Sequence, residues 1–128
     1  MVESAERIDE LRNKLARKAF EAGEFYLRTN RYLAASIYFD QVVDQYPESM
    51  WAERSLLKQI ETYIIYADNS IETKQAERYN KAISNYEKYL QLFPQSNSRA
   101  EAESLYLDAV DKLADVDVTA TGDSIGSN

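Results

Sequence analysis

One six-residue pattern occurs twice in this chain, 47 positions apart. The first copy is Ala35, Phe39, Val42, Tyr46, Pro47 and Ser49; the second is Ala82, Tyr86, Tyr89, Phe93, Pro94 and Ser96. In both, a small residue is followed by large apolar residues at four, seven and eleven positions, then by proline and serine. Steps of four and three place those side chains on one face of a helix. Proline then ends the helix, because it pushes the preceding residue out of the α region. The same helix and stop therefore recur, and a period of this size marks a helical repeat array. Such arrays work mainly by presenting surfaces to partners.

Composition narrows the function further. The 128 residues contain no histidine and no cysteine, so the commonest general base, the commonest transition-metal ligand and all thiol chemistry are missing. Glycine and proline number only 3 and 2, which favours an all-α fold over a turn-rich one. The net charge of −7 is uneven: residues 1–47 and 48–95 each carry −1, and residues 96–128 carry −5. That distribution lacks the basic footprint of a nucleic-acid binder. No run of apolar residues approaches the length of a membrane span. Val2 to Arg12 is charged and helix-like rather than a signal peptide, so an exported parent would make this chain a fragment.

Periodicity predicts five helices. The first spans Glu6 to Arg28, with Ile8, Leu11, Leu15, Ala19, Ala22, Phe25 and Tyr26 as its apolar face. Thr29-Asn30 breaks it, and Arg31 to Gln45 forms the second. Ser49 is the expected cap of the third, which keeps a helical face to about Tyr66. Glu72 to Leu92 is the fourth; Ser96 or Ser98 caps a fifth running through Leu113. From Asp115 the periodicity stops. Residues 1–116 are expected to form the repeat domain, as two hairpins and a capping helix. Residues 117–128 are expected to be a disordered tail, too poor in apolar area to offset its ordering entropy. Asp115, Asp117, Thr119 and Asp123 do not make a calcium loop, since Ala120 stands where glycine is needed and Gly126 where glutamate is.

The first hairpin resembles a tetratricopeptide repeat. Gly23 lies mid-way along the first helix, Tyr26 follows three residues later, and Ala35, Phe39 and Pro47 hold the family's spacing. The resemblance implies a right-handed superhelix of about five antiparallel helices, with Gly23 and Ala35 allowing close helix contact. From Gly23 to Ala35 is 12 residues, but from Ile60 to Ala82 is 22, so the second hairpin carries ten extra residues within Tyr66 to Tyr79.

A narrower resemblance rests on order and spacing together. Leu11 to Ala16, then Glu24-Phe25-Tyr26, Tyr32 to Ala35 and Tyr46-Pro47 are similar to the BamD family of outer-membrane β-barrel assembly lipoproteins, over residues 5–114. The resemblance implies a non-catalytic scaffold at the periplasmic face of the bacterial outer membrane, corresponding to the family's C-terminal half. Its implied partners are the BamA POTRA domain nearest the barrel and other assembly subunits. Membrane attachment would come only from a lipid anchor that this stretch lacks, and no cofactor or metal is implied. The alternative is a periplasmic or cytoplasmic adaptor that binds an extended peptide in its concave groove.

Two surfaces follow. Arg28, Arg31, Tyr32, Tyr38 and Gln41 are the candidate partner-binding residues, because tyrosines with neighbouring arginine suit interface anchors. The other reading is that Tyr32 and Tyr38 pack on an adjacent repeat. The alternative groove is Arg17, Phe20, Glu24 and Leu27, where Glu24 opposes capture of a carboxylate. The long tip, with Ile64, Ile65, Tyr66 and Ile71, is either a contact surface or mutually buried. The many carboxylates fall on polar helix faces, where a solvated surface explains them better than catalysis.

Overall fold

The computed structural model describes the backbone of residues 2–126 and the side chains of residues 5–116. It is all-α, a tetratricopeptide-like stack of antiparallel helices: α1 (Val2–Arg28), α2 (Tyr32–Gln45), α3 (Ala52–Asp68), α4 (Glu72–Leu92) and α5 (Arg99–Gly126). α1 pairs with α2 and α3 with α4; α2 packs on α3, and α5 packs on α4.

The two stops are near-identical in geometry. Tyr46 adopts φ −130°, ψ 52° and Phe93 φ −132°, ψ 56°. Each donates its N–H to the carbonyl four residues back, Val42 at 2.9 Å and Tyr89 at 2.8 Å, just before proline prevents another turn. The hairpin tip of α1 and α2 is made by Asn30, at φ 63°, the left-handed conformation that asparagine tolerates after a helix. Ser49 is not the cap of α3. Trp51 holds that position without a side-chain bond, and Ser49 is buried in the preceding turn instead. The polar cluster at 96–98 does act locally, with the Ser98 N–H donating to Ser96 Oγ at 3.1 Å.

Two apolar clusters meet at the α2–α3 junction. Ala16, Ala19, Phe20, Ala35, Phe39 and Val42 fill the first. Val43 joins Leu56, Ile60, Ile64, Tyr79, Ala82, Tyr86, Tyr89, Ala102 and Ala109 in the second. Both copies of the repeated pattern thus supply core residues from equivalent positions. The Phe39 ring lies directly over Gly23, so the glycine admits an aromatic ring. Arg12 ties α1 to the α2–α3 turn: it bonds Glu48, donates to the Gln45 carbonyl at 2.5 Å, and lies 5.1 Å from the Tyr46 ring. Buried Gln59 crosses from α3 to α2, donating to Ser36 O and Asp40 Oδ1, both at 2.8 Å.

The covered face of α1 differs from the sequence reading. Ala16, Ala19, Phe20 and Gly23 face the core, whereas Ile8, Leu11, Leu15 and Phe25 are exposed. Residues spaced by three and four form stripes on more than one side of a long helix, and the partner helices lie against the stripe of small residues. The backbone of α5 is helical to Gly126, past the expected end near Leu113. The side chains of the expected tail, 117–128, lie outside the described residues.

Candidate functional site

Three surfaces compete as binding sites: the hairpin tips, the outer face of α1 and α2, and the groove along the first helices of the hairpins. At the tips, Tyr32 opens α2 with its ring 5.6 Å from Tyr66 at the end of α3. The Arg78 guanidinium from α4 covers the other side of Tyr66 at 3.9 Å and also donates to Ser70 Oγ. Tyr32 OH donates to Asn30 Oδ1 at 3.2 Å. This ladder joins the tips of both hairpins into one surface. Arg28 and Arg31 stand exposed beside Tyr32, and Ile71 is 70% exposed at the second tip.

Tyr38 lies elsewhere. Six residues after Tyr32, it is turned about 120° round the helix. It stacks on Tyr26 at 5.4 Å and 13°, within the first hairpin. Half-buried Gln41 lies three residues on, away from the tip. The five candidates therefore divide, with Arg28, Arg31 and Tyr32 at the tip and Tyr38 and Gln41 on the outer side. Of the tip's apolar residues, Ile64 is buried and Tyr66 is covered as described; Ile71 is free to meet a partner.

The groove is lined by Phe20, Arg54, Leu57, Lys58, Glu61, Ser98 and Glu101 and has a volume of about 380 Å³. Phe20 is only 1% exposed, so it belongs to the core as much as to the groove. Leu27 also packs against the core, Glu24 is half-buried, and Arg17 is exposed, 3.6 Å from Glu21. Arg54 lies over both Phe20 and Trp51, at 4.9 and 4.7 Å, and Arg17 approaches Trp51 at 5.8 Å. Guanidinium groups over aromatic faces are held by the ring quadrupole while keeping their outer N–H groups available. The sequence reading omitted Trp51, Arg54 and Lys58. The signal was present: the 37-residue step from Gly23 to Ile60 also carries Arg17 to Arg54, Phe20 to Leu57 and Glu24 to Glu61.

The titration shifts are structural in kind. Asp40 is raised by burial, partly opposed by its bond from Gln59. Glu48 is lowered by its bond from Arg12. Tyr89, buried and donating to Glu53 Oε2 at 2.6 Å, is pushed up to about 12 by burial and that bond. None of these groups points into the groove beside a second carboxylate as an acid–base pair would. Among the described residues no group of three or more carboxylates is placed to hold a metal ion, and no helix is long and apolar enough to cross a membrane.

Comparison with known proteins fits this geometry. No curated protein matches the chain. The family described as YfiO, outer membrane lipoprotein, matches residues 2–77. That stretch contains the first hairpin, all of α3 and the start of α4. It includes the Tyr46-Pro47 stop and the tip residues from Arg28 to Tyr66. With more than half its length matched and the repeat packing in place, the chain belongs to the YfiO family of outer membrane lipoproteins, the family of BamD.

Proposed function

We propose that this chain is a non-catalytic docking scaffold for outer-membrane β-barrel protein assembly. In this reading its hairpin tips bind the BamA POTRA domain nearest the barrel at the periplasmic face of the outer membrane. A lipid anchor elsewhere in the parent protein supplies attachment. The family match over residues 2–77 carries the reading. The geometry chooses the surface: a partner meeting the tips finds Tyr32, Tyr66 and Arg78 already held in place, so little side-chain entropy is lost on docking. Exposed Arg28 and Arg31 add donors for an acidic partner face.

Capture of the purified POTRA domain by the immobilised chain tests this. Arg31→Glu and Tyr32→Ala should each weaken capture about tenfold, or about 1.4 kcal/mol, with helicity retained. Glu24→Ala should change little. A second reading, an adaptor that binds an acidic extended peptide, is favoured by one observation: Arg54 spans Phe20 and Trp51 at the groove floor. Loss of capture with Arg54→Ala and none with the tip variants would select the groove. No capture by the unaltered chain would defeat the POTRA assignment.

A further inference from the structure

The exposed stripe on α1 has a counterpart inside the molecule. The 37-residue step carries Leu15, Lys18, Ala22 and Phe25 onto Ala52, Ser55, Gln59 and Thr62 of α3. All four of those are fully buried, and Gln59 bonds directly to α2. This side of a first helix is thus where another helix packs. On α1 it is uncovered and more apolar, with Ile8, Leu11, Leu15 and Phe25 between 42 and 58% exposed. Ile8, Leu11, Leu15, Lys18, Ala22 and Phe25 follow an unbroken alternation of three and four. That is the spacing of a helix–helix seam over about 26 Å of helix.

The stripe is also complementary to itself. In an antiparallel pair centred between Leu15 and Lys18, Ile8 of one copy meets Phe25 of the other, and Leu11 meets Ala22. Leu15 lies along the aliphatic stem of Lys18, whose ammonium can reach water. On the flank the same register sets Lys14 opposite Glu21, twice by symmetry. A parallel pair would instead place Lys18 against Lys18. Two such stripes bury on the order of 1,000 Å² in total, near the lower limit for a specific interface. We propose that a second copy of this chain occupies this face, forming an antiparallel α1–α1 dimer of modest affinity.

The test is sedimentation of the full 128-residue chain from about 1 to 500 μM, with crosslinking. The apparent mass should rise from 14.8 kDa toward twice that value across the range. Leu11→Glu and Leu15→Glu should hold the chain at the monomer mass without loss of helicity, since both sites are exposed. Lys14→Glu should weaken the dimer several-fold, and Lys14→Glu with Glu21→Lys should restore it. The chain has no cysteine of its own, so single replacements report register directly. Ile8→Cys mixed with Phe25→Cys should give an intermolecular disulfide, and Ile8→Cys alone should not. A monomer at every concentration would overturn the proposal and leave the face to a different helix. Crosslinking of Ile8→Cys to itself, or a dimer indifferent to Leu11→Glu, would overturn the register.

Discussion

Gly23→Ala sets two effects of similar size against each other. In a helix interior alanine is favoured over glycine by about 1 kcal/mol. At this site a Cβ would lie 2.6, 2.8 and 2.9 Å from Cε1, Cδ1 and Cζ of Phe39. Ordinary carbon contacts are about 3.5–4.0 Å, so the ring must move by the best part of an ångström. It has little room. Phe39 is fully buried with its centroid 5.7 Å from Phe20, and Phe20 is 5.2 Å from Trp51. Overpacking of this kind costs about 1–3 kcal/mol. The net expectation is a loss of about 0–2 kcal/mol, or a Tm lowered by up to about 8 °C for a chain of this size. Thermal unfolding followed by far-ultraviolet circular dichroism reads it, with urea unfolding as a second measure. Phe39→Leu should relieve the clash. The double variant should then be more stable than the two single losses add up to, by about 1 kcal/mol. A Tm raised by Gly23→Ala, or strict additivity in the cycle, would refute the close approach of α1 to the Phe39 ring.

Three further outcomes follow from the hydrogen bonds and burial. Asp40 is raised in the folded state, so its ionisation opposes folding, and stability falls as pH rises from the unfolded carboxylate value through the folded one. Asp40→Asn keeps an acceptor for Gln59 and should raise Tm at pH 7, with the gain shrinking on acidification; an unchanged gain at pH 3 would count against this. Glu53 accepts from Tyr89 and Ser96, so Glu53→Ala should cost about 1–3 kcal/mol in urea unfolding. The stability tied to Tyr89 should be intact below about pH 10, the ordinary tyrosine value, and be lost as pH rises through about 12. Truncation after Val116 should leave Tm and chemical stability unchanged, because 117–128 is rich in Thr, Ser, Gly and Asp; a clear drop would show that the segment docks.

The helices, their ends and the repeat were legible in the sequence because their causes are local. Proline sets the stop two times over, asparagine supplies the left-handed turn at residue 30, and spacing by three and four marks each amphipathic segment. Ala35, Phe39 and Val42 were identified as the core of α2 for the same reason. The orientation of the whole was a different matter. Periodicity says that a helix has an apolar stripe but not which stripe its neighbours cover. Hence Ile8, Leu11, Leu15 and Phe25 read as core, yet stand in solvent while smaller Ala16 and Ala19 take the packed side. Tyr32 and Tyr38 read as one surface for a related reason. Only the packing of α2 between α1 and α3 turned one toward Tyr66 and the other toward Tyr26. Arg54 became a groove residue only when Phe20 and Trp51 were brought beneath it, a contact that joins residues 34 positions apart. Local sequence decides where a helix begins, ends and carries apolar side chains; which of those side chains are covered depends on long-range packing, and that was decided by the tertiary structure.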